Sequence, residues 1–121
     1  MNVVDEAFNA AMAVKKHYIV APVGAGARDI QVRIAKERGA TVVASAPLKD
    51  WWSKETSLSV VTPTWVRRHP EFACNSLVVD ELNQQQAAWV APLVKATPEV
   101  SVRAVGGAGN IFILDYTELT Y

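Results

Sequence analysis

Residues 17–28 have the sequence HYIVAPVGAGAR, in which an apolar run leads directly into a glycine-rich turn. A charged segment follows, with Ile30 and Ile34 one helical turn apart. This order is typical of a strand, a phosphate-binding type of loop and a helix. Gly24 and Gly26 allow the backbone to approach a ligand closely, and the helix start offers free N–H groups to an anion. The stretch therefore predicts a small α/β domain organised around this turn.

The rest of the chain alternates apolar runs with helical patterns. Strands are predicted over residues 18–23, 40–46, 57–62, 76–80, 100–105 and 110–116, and helices over 2–16, 28–38, 48–55 and 82–96. The runs at 40–46 and 76–80 lack polar alternation, which is typical of parallel strands covered on both faces. The glycine-rich residues 106–109 are short enough for a hairpin loop. We predict a three-layer α/β fold, with a mostly parallel sheet, flanking helices and a C-terminal antiparallel β-hairpin.

Composition indicates one ordinary globular domain covering residues 1–121. The 12 basic and 12 acidic side chains balance, so net charge gives no reason to expect a nucleic-acid or acidic partner. Cys74 is the only cysteine, which excludes an intrachain disulfide and suits a reducing compartment. The sequence has no apolar run of membrane-spanning length and no recognisable signal peptide. We expect a cytoplasmic protein without a membrane partner, in the host cytoplasm or the virion if the source is viral.

A second suggestive stretch is LVVDE, residues 77–81, where an apolar strand stops at the acidic pair Asp80 and Glu81. In open α/β sheets, ligands bind beyond the C-terminal ends of the strands. Both the glycine-rich turn and the acidic pair follow predicted strands in this way. They are therefore the candidate ligand-binding positions of the chain.

These stretches carry a resemblance to a known family. Residues 21–28, APVGAGAR, resemble the first motif of superfamily-2 helicases, especially viral ones, which has the pattern Ala-x-x-Gly-x-Gly-Lys-Thr. Residues 77–81 resemble their second motif, an apolar strand that ends in Asp-Glu. Residues 61–64, VTPT, and 105–108, VGGA, are weaker matches to later motifs of the first motor domain. The resemblance implies a RecA-like P-loop domain that covers nearly the whole chain.

The match departs from the family at two functional positions. The loop lysine that contacts the outer phosphates corresponds to Ala27, and the hydroxyl residue that holds magnesium corresponds to Arg28. These 121 residues also contain no counterpart of the second motor domain. The resemblance therefore implies a degenerate motor-type domain that holds phosphate or nucleotide at Gly24, Ala25, Gly26, Ala27 and Arg28 without hydrolysing it. Asp80 and Glu81 are the positions at which it would hold a metal ion.

Each of these features also has an ordinary structural interpretation. The glycine-rich turn can join a strand to a helix with no ligand, and Asp80 and Glu81 can be an acidic pair that stabilises a helix N-terminus. Arg67 and Arg68 belong either to a solvated turn or to a nucleic-acid patch. Trp51 and Trp52 are adjacent and cannot face the same way, so we expect one in the core and the other on a partner surface.

Three classes of function remain open from the sequence. The first is a phosphate- or nucleotide-binding module without turnover. The second is a structural or interaction protein of viral or phage origin with no ligand chemistry, for which the partner surface would include Trp51, Trp52, Arg67 and Arg68. The third is a small enzyme that uses Asp80 or Glu81 as an acid or base. A protein partner or self-association is expected in the first two, and the sequence marks no certain cofactor beyond a nucleotide or phosphate.

Overall fold

The fold is an α/β arrangement of five helices and six strands in the residues that a computed structural model describes, 3–20, 26–103 and 116–120. The helices are α1 Val3–Met12, α2 Ala27–Arg38, α3 Ala46–Thr56, α4 Pro63–Arg68 and α5 Gln84–Ala96. The strands are β1 Lys16–Val20, β2 Thr41–Val43, β3 Val60–Val61, β4 Ser76–Val79, β5 Glu99–Arg103 and β6 Thr117–Thr120. Helices and strands alternate from α1 to β5, as the sequence pattern predicts.

The six strands form one sheet in the order β3-β2-β4-β5-β1-β6. Every pairing in the described sheet is parallel. β1 lies between β5 and β6, with Lys16 opposite Val100 on one side and His17 opposite Thr117 on the other. The parallel arrangement of the first four predicted strands is confirmed.

The predicted C-terminal antiparallel hairpin is wrong. β5 and β6 are not neighbours, because β1 lies between them and both are parallel to it. A parallel connection needs roughly a dozen residues or more, and residues 104–116 are long enough to provide it. The predicted strand at 110–116 falls outside the described residues except for Tyr116, and β6 begins directly after that residue.

Two apolar layers cover the two faces of the sheet. One contains α1, α2 and α3 and includes Ile19, Val42 and Val78 from the strands. The other contains α4 and α5 and includes Leu77 and Val79 from β4, together with Val43, Val100 and Val102. Successive strand residues point to opposite faces, so Leu77 and Val78 enter different layers. Both faces are apolar, which explains why these strands show no polar alternation.

Glycines set both ends of α2. Gly26 precedes its first residue with φ 85° and ψ 18°, and Gly39 follows its last with φ 61° and ψ 41°. Both are left-handed conformations that a residue without Cβ adopts at little cost. The Gly39 N–H donates to carbonyls of the last turn of α2, which ends the helix. Gly26 turns the chain so that α2 begins at the sheet edge where the parallel strands end.

Candidate functional site

Three charged side chains meet at the C-terminal edge of the sheet. Asp80 directly follows β4, Arg103 ends the neighbouring strand β5, and Arg28 lies in the first turn of α2. Parallel strands end at the same edge of a sheet, so the fold brings together residues that are far apart in the sequence. The site lies where the sequence predicts ligand binding.

Asp80 is fully buried, and each of its carboxylate oxygens contacts two donors. Oδ1 accepts a hydrogen bond from the Glu81 backbone N–H at 2.7 Å and lies 3.1 Å from Nε of Arg103. Oδ2 accepts a hydrogen bond from the Trp52 indole N–H at 2.7 Å and lies 3.3 Å from Nε of Arg28. A buried carboxylate is tolerated only when it is paired and hydrogen-bonded. Asp80 meets both conditions through donors from this chain.

We call Arg28, Trp52, Asp80, Glu81 and Arg103 the Asp80 cluster. Its two guanidinium groups balance its two carboxylates, because Arg103 Nη2 also donates to Glu81 Oε2 at 3.0 Å. The Nε atoms of both arginines are buried but not aligned for hydrogen bonding, so their contacts with Asp80 are ionic. Asp80 is therefore the centre of an ion-pair network that neutralises itself.

Arg28 is the most exposed cation that contacts Asp80. Its side chain is 31% exposed, against 19% for Arg103. The Arg28 guanidinium lies over the Trp51 ring, 5.4 Å from the ring centroid, a geometry that favours cation–π attraction. Asp80 and Trp51 therefore fix the position of Arg28 while part of its side chain stays in contact with solvent.

The two adjacent tryptophans of α3 have different roles. Trp52 is fully buried and donates to Asp80, whereas Trp51 is half-buried and packs edge-on against Trp52. This confirms that the two rings face different ways. Because Trp52 has no exposed area, its assignment to a partner surface is corrected, and Trp51 alone of this pair can meet a partner.

The predicted phosphate-binding loop is described in part. Gly24 and Ala25 lie outside the described residues, whereas Gly26, Ala27 and Arg28 form the start of α2. Ala27, at the position of the family's lysine, is buried in the core layer of α1, α2 and α3. Arg28, which the resemblance aligns with the magnesium-binding hydroxyl, contacts Asp80. The chain thus places a permanent cation beside Asp80, where the resemblance implies a metal ion.

The contacts leave little room for a metal ion at Asp80 and Glu81. A metal at Asp80 would have to displace Arg28, Arg103 or Trp52, since both carboxylate oxygens already have two donors. Glu81 is exposed and shares Arg103 with Asp80. Among the described residues, no three or more His, Cys, Asp or Glu side chains are grouped so as to hold a metal.

A chain of buried polar side chains lies beneath the Asp80 cluster. Gln31, within one turn of Arg28, donates through Nε2 to the carbonyls of Val79 and Ser101 at 3.2 and 3.4 Å. The Ser101 hydroxyl contacts Nε2 of His17 at 2.8 Å, and Nδ1 of His17 lies 3.2 Å from the Val14 carbonyl. Burial lowers the pKa of His17 from 6.5 to about 4. His17 is therefore neutral at pH 7, with Nδ1–H donating to Val14 and the Ser101 hydroxyl donating to Nε2.

Arg67 and Arg68 lie apart from the Asp80 cluster, on the other face of the sheet. Both are exposed in the last turn of α4. The Arg67 guanidinium lies over the Trp89 ring of α5, 4.9 Å from its centroid. The predicted partner surface is thus divided between Trp51 in one layer and Arg67 with Arg68 in the other.

The sequence reasoning missed the role of three side chains at or beneath the Asp80 cluster, and two of the three have a signal in the sequence. Arg103 lies near the C-terminal end of the predicted strand 100–105, so its place near the same edge as Asp80 could have been inferred. Gln31 shares the apolar face of α2 with Ile30 and Ile34, and a polar residue on such a face must find buried partners. The indole donor of Trp52 has no local signal, because α3 and β4 meet only in the tertiary structure.

Comparison with known proteins assigns no family to this arrangement. No model of a known protein family matches the chain, and no curated protein sequence matches it. In the part of the chain that the structure describes, no helix combines the length and apolar character needed to cross a membrane.

Proposed function

We propose that this chain is a phosphate- or nucleotide-binding domain of the motor type that does not hydrolyse its ligand. The observation that carries the proposal is the 3.3 Å contact between Arg28 Nε and Asp80 Oδ2. In the family that the sequence resembles, the loop and the acidic pair meet through magnesium. Here Arg28 supplies the positive charge directly, so a bound phosphate would need no metal ion.

The start of α2 supports anion binding. The first N–H groups of a helix have no partner within the helix, and they attract anions together with the helix dipole. Arg28 lies in this first turn and keeps 31% of its side chain exposed. Guanidinium is permanently charged and matches two phosphate oxygens at once. Arg103 also contacts Asp80, so Asp80 keeps one cation partner if Arg28 turns towards an incoming anion.

The same contacts argue against turnover. Phosphoryl transfer is catalysed by positioning and by cations that neutralise charge on the transferred group. Ala27 is buried and carries no ammonium to clamp the outer phosphates. Asp80, which would help to hold magnesium, is saturated by Trp52, Arg28 and Arg103.

Calorimetry and thermal melting with inorganic phosphate, ADP and ATP, each with magnesium or with EDTA, test the proposal. We expect binding that EDTA does not abolish. A ligand at 100 times its dissociation constant should stabilise the fold by about 2.7 kcal/mol. Arg28→Gln should lose this binding. Arg33→Gln is the matched control, because Arg33 is an exposed arginine of the same helix that pairs with Asp5 instead.

A separate measurement of phosphate release tests the absence of turnover. Phosphate release at about 1 per second or faster that is lost in Asp80→Asn would contradict it.

A structural or interaction protein without ligand chemistry is the second candidate. The observation that favours it is the charge balance of the Asp80 cluster, in which two arginines and two carboxylates already satisfy one another. In that case Arg28 only holds α2 against β4. Absence of heat and of any melting shift with all three anions would support this alternative.

A further inference from the structure

We propose that a groove between α4 and α5 is a docking site for an acidic peptide segment of another protein, anchored by one large apolar side chain. This site is independent of the Asp80 cluster, since it lies in the other helical layer. We call it the α4–α5 groove. Val66 and Leu93 are its buried residues, Phe72 and Trp89 are half-buried, and Pro70 and Pro92 are exposed.

The size of the α4–α5 groove fits a single side chain. Its volume is about 210 Å³. Pockets for drug-sized molecules are typically about 300–1,000 Å³, whereas a cavity of about 150 Å³ already takes a benzene ring. One Phe, Leu or Met side chain would therefore fill the groove, and the rest of a ligand would lie over the surface around it.

The charged side chains around the α4–α5 groove favour an acidic partner. Residues 62–74 and 84–97, which hold the two helices and the turn after α4, contain the cations Arg67, Arg68 and Lys95 but only one carboxylate, Glu71. All four side chains are exposed. The whole chain has equal numbers of acidic and basic residues, so this surface carries a local positive excess. Charges at the rim of an interface speed association and select partners of opposite sign.

Arg67 and Trp89 give the groove the composition of a binding hot spot. Trp, Tyr and Arg carry most of the binding energy in protein interfaces. The Arg67 guanidinium already rests on the Trp89 ring at 4.9 Å, so part of the entropy of ordering it is lost before a partner arrives. In this position the guanidinium can donate two parallel hydrogen bonds to a carboxylate of the peptide.

The aromatic contacts favour a peptide over single-stranded nucleic acid. Sequence-tolerant nucleic-acid binding requires aromatic faces on which bases stack. Arg67 covers one face of Trp89, and His69 stacks on Trp65 with ring centroids 4.1 Å apart. Phe72 packs edge-on against the same Trp65 ring. These rings already have stacking or edge partners, whereas the apolar groove beside them suits an aliphatic or aromatic side chain.

The test uses a short capped peptide of Asp and Glu residues around a single Phe, titrated into isotope-labelled protein and followed by NMR. We expect shifts at the Trp89 indole and at the amides of Leu93 and Ala96, with a dissociation constant below about 1 mM. The double variant Arg67→Glu, Arg68→Glu should weaken binding by at least about tenfold. Lys49→Glu with Lys54→Glu is the matched control, because both lysines are exposed on α3 in the other layer and the charge change is the same. That control should bind like the unmodified protein.

Three further measurements can overturn the proposal. A peptide with Ser in place of Phe should bind at least about tenfold more weakly, and equal binding would show that no anchor enters the groove. If a single-stranded oligonucleotide binds more tightly than the peptide, and the Arg67 and Arg68 variant loses this binding, the ligand of the groove is nucleic acid and not a peptide. A dimer in sedimentation that the same variant dissociates would assign the groove to a second copy of this chain. Absence of shifts at millimolar peptide also contradicts the proposal.

Discussion

At the residue scale, the hydrogen bond between Trp52 and Asp80 can be removed by substituting either residue, and the change in stability can be measured for each. Asp80→Asn removes the charge that compensates two arginines, and breaking a buried ion pair in this way costs about 3–5 kcal/mol. We expect the lower end of that range, because Arg28 and Arg103 keep some exposure. Trp52→Phe removes the indole N–H that donates to Asp80 and also makes a fully buried side chain smaller. The loss should therefore be at least about 1–3 kcal/mol, the cost of a missing buried hydrogen-bond donor. Urea unfolding measures both losses.

Glu81→Gln is the control for these variants. Glu81 is exposed and contacts Arg103 at the rim of the Asp80 cluster. Exposed ion pairs contribute about 0–1 kcal/mol, so this variant should unfold close to the unmodified protein. A loss for Asp80→Asn as small as that for Glu81→Gln would mean that the buried network contributes little to stability.

His17 should make stability depend on pH. Burial lowers its pKa from 6.5 in the unfolded chain to about 4 in the folded protein. The unfolded state therefore binds the proton more readily. The contribution of neutral His17 is complete above about pH 6.5 and is lost as the pH falls towards 4, up to about 3 kcal/mol. Urea unfolding at several pH values should show a slope in this window that His17→Gln removes.

The other histidine provides the control for this experiment. His69→Gln leaves the contacts of His17 with Ser101 and Val14 in place, so the slope that His17 produces should persist. If the slope is the same with and without His17, the carboxylates account for the acid sensitivity instead.

The residue types of the site could be predicted, but their pairing could not. Gly26, Arg28 and Asp80 each have a local signal in the sequence. Ligand binding at the C-terminal ends of parallel strands is a general rule. The contact between Arg28 and Asp80 depends on the strand order, which places β4 beneath the start of α2. Strand order is decided by packing across the whole sheet, and short apolar runs carry little information about it.

At the element scale, the left-handed turn before α2 has a testable cost. A Cβ added at Gly26 meets no atom within 4 Å, so a substitution there is strained only by its φ of 85°. Left-handed backbone costs an L-residue about 1–2 kcal/mol. Gly26→Ala should lose that amount in urea unfolding. Gly39→Ala should lose about the same, because its φ is 61° and its surroundings are also open.

The comparison of the two glycine variants separates stability from binding. If the start of α2 holds an anion, Gly26→Ala should weaken phosphate binding, while Gly39→Ala at the far end of the helix should not. A Gly26→Ala protein as stable as the unmodified one would show that the turn relaxes to another conformation.

The lengths of elements were predicted less well than their order. The predicted strand at 40–46 shrinks to β2 Thr41–Val43, because Ser45 and Pro47 start α3 earlier than the apolar run suggests. Pro47 suits the first turn of a helix, where its missing N–H has no cost. The predicted strand at 57–62 keeps only Val60–Val61. Apolar residues continue past the end of a strand when they pack under the next helix, so the pattern alone overestimates strand length.

At the scale of the whole molecule, the two helical layers differ in charge as well as in position. The charged residues of α4, α5 and the turn after α4 are three cations and one carboxylate, although the chain as a whole is balanced. The net charge of the chain therefore does not show that one helical layer has more basic than acidic side chains, because this difference depends on how the fold separates the layers. The balanced total gave no reason to expect a charged partner, and it left open a basic surface confined to one part of the molecule.

The position of β1 between β5 and β6 has a consequence for the order in which strands pair during synthesis. In the described sheet, β1 pairs only with β5 and β6, which come about 80 residues or more later in the chain. Ribosomes add about 5–20 residues per second, so β1 waits roughly 4–16 s for its first neighbour. During that time its edges and the apolar side chain of Ile19 are open to other chains. The strand that leads into the candidate phosphate site is thus among the last to be paired, and both of its edges stay open until β5 and β6 have been synthesised.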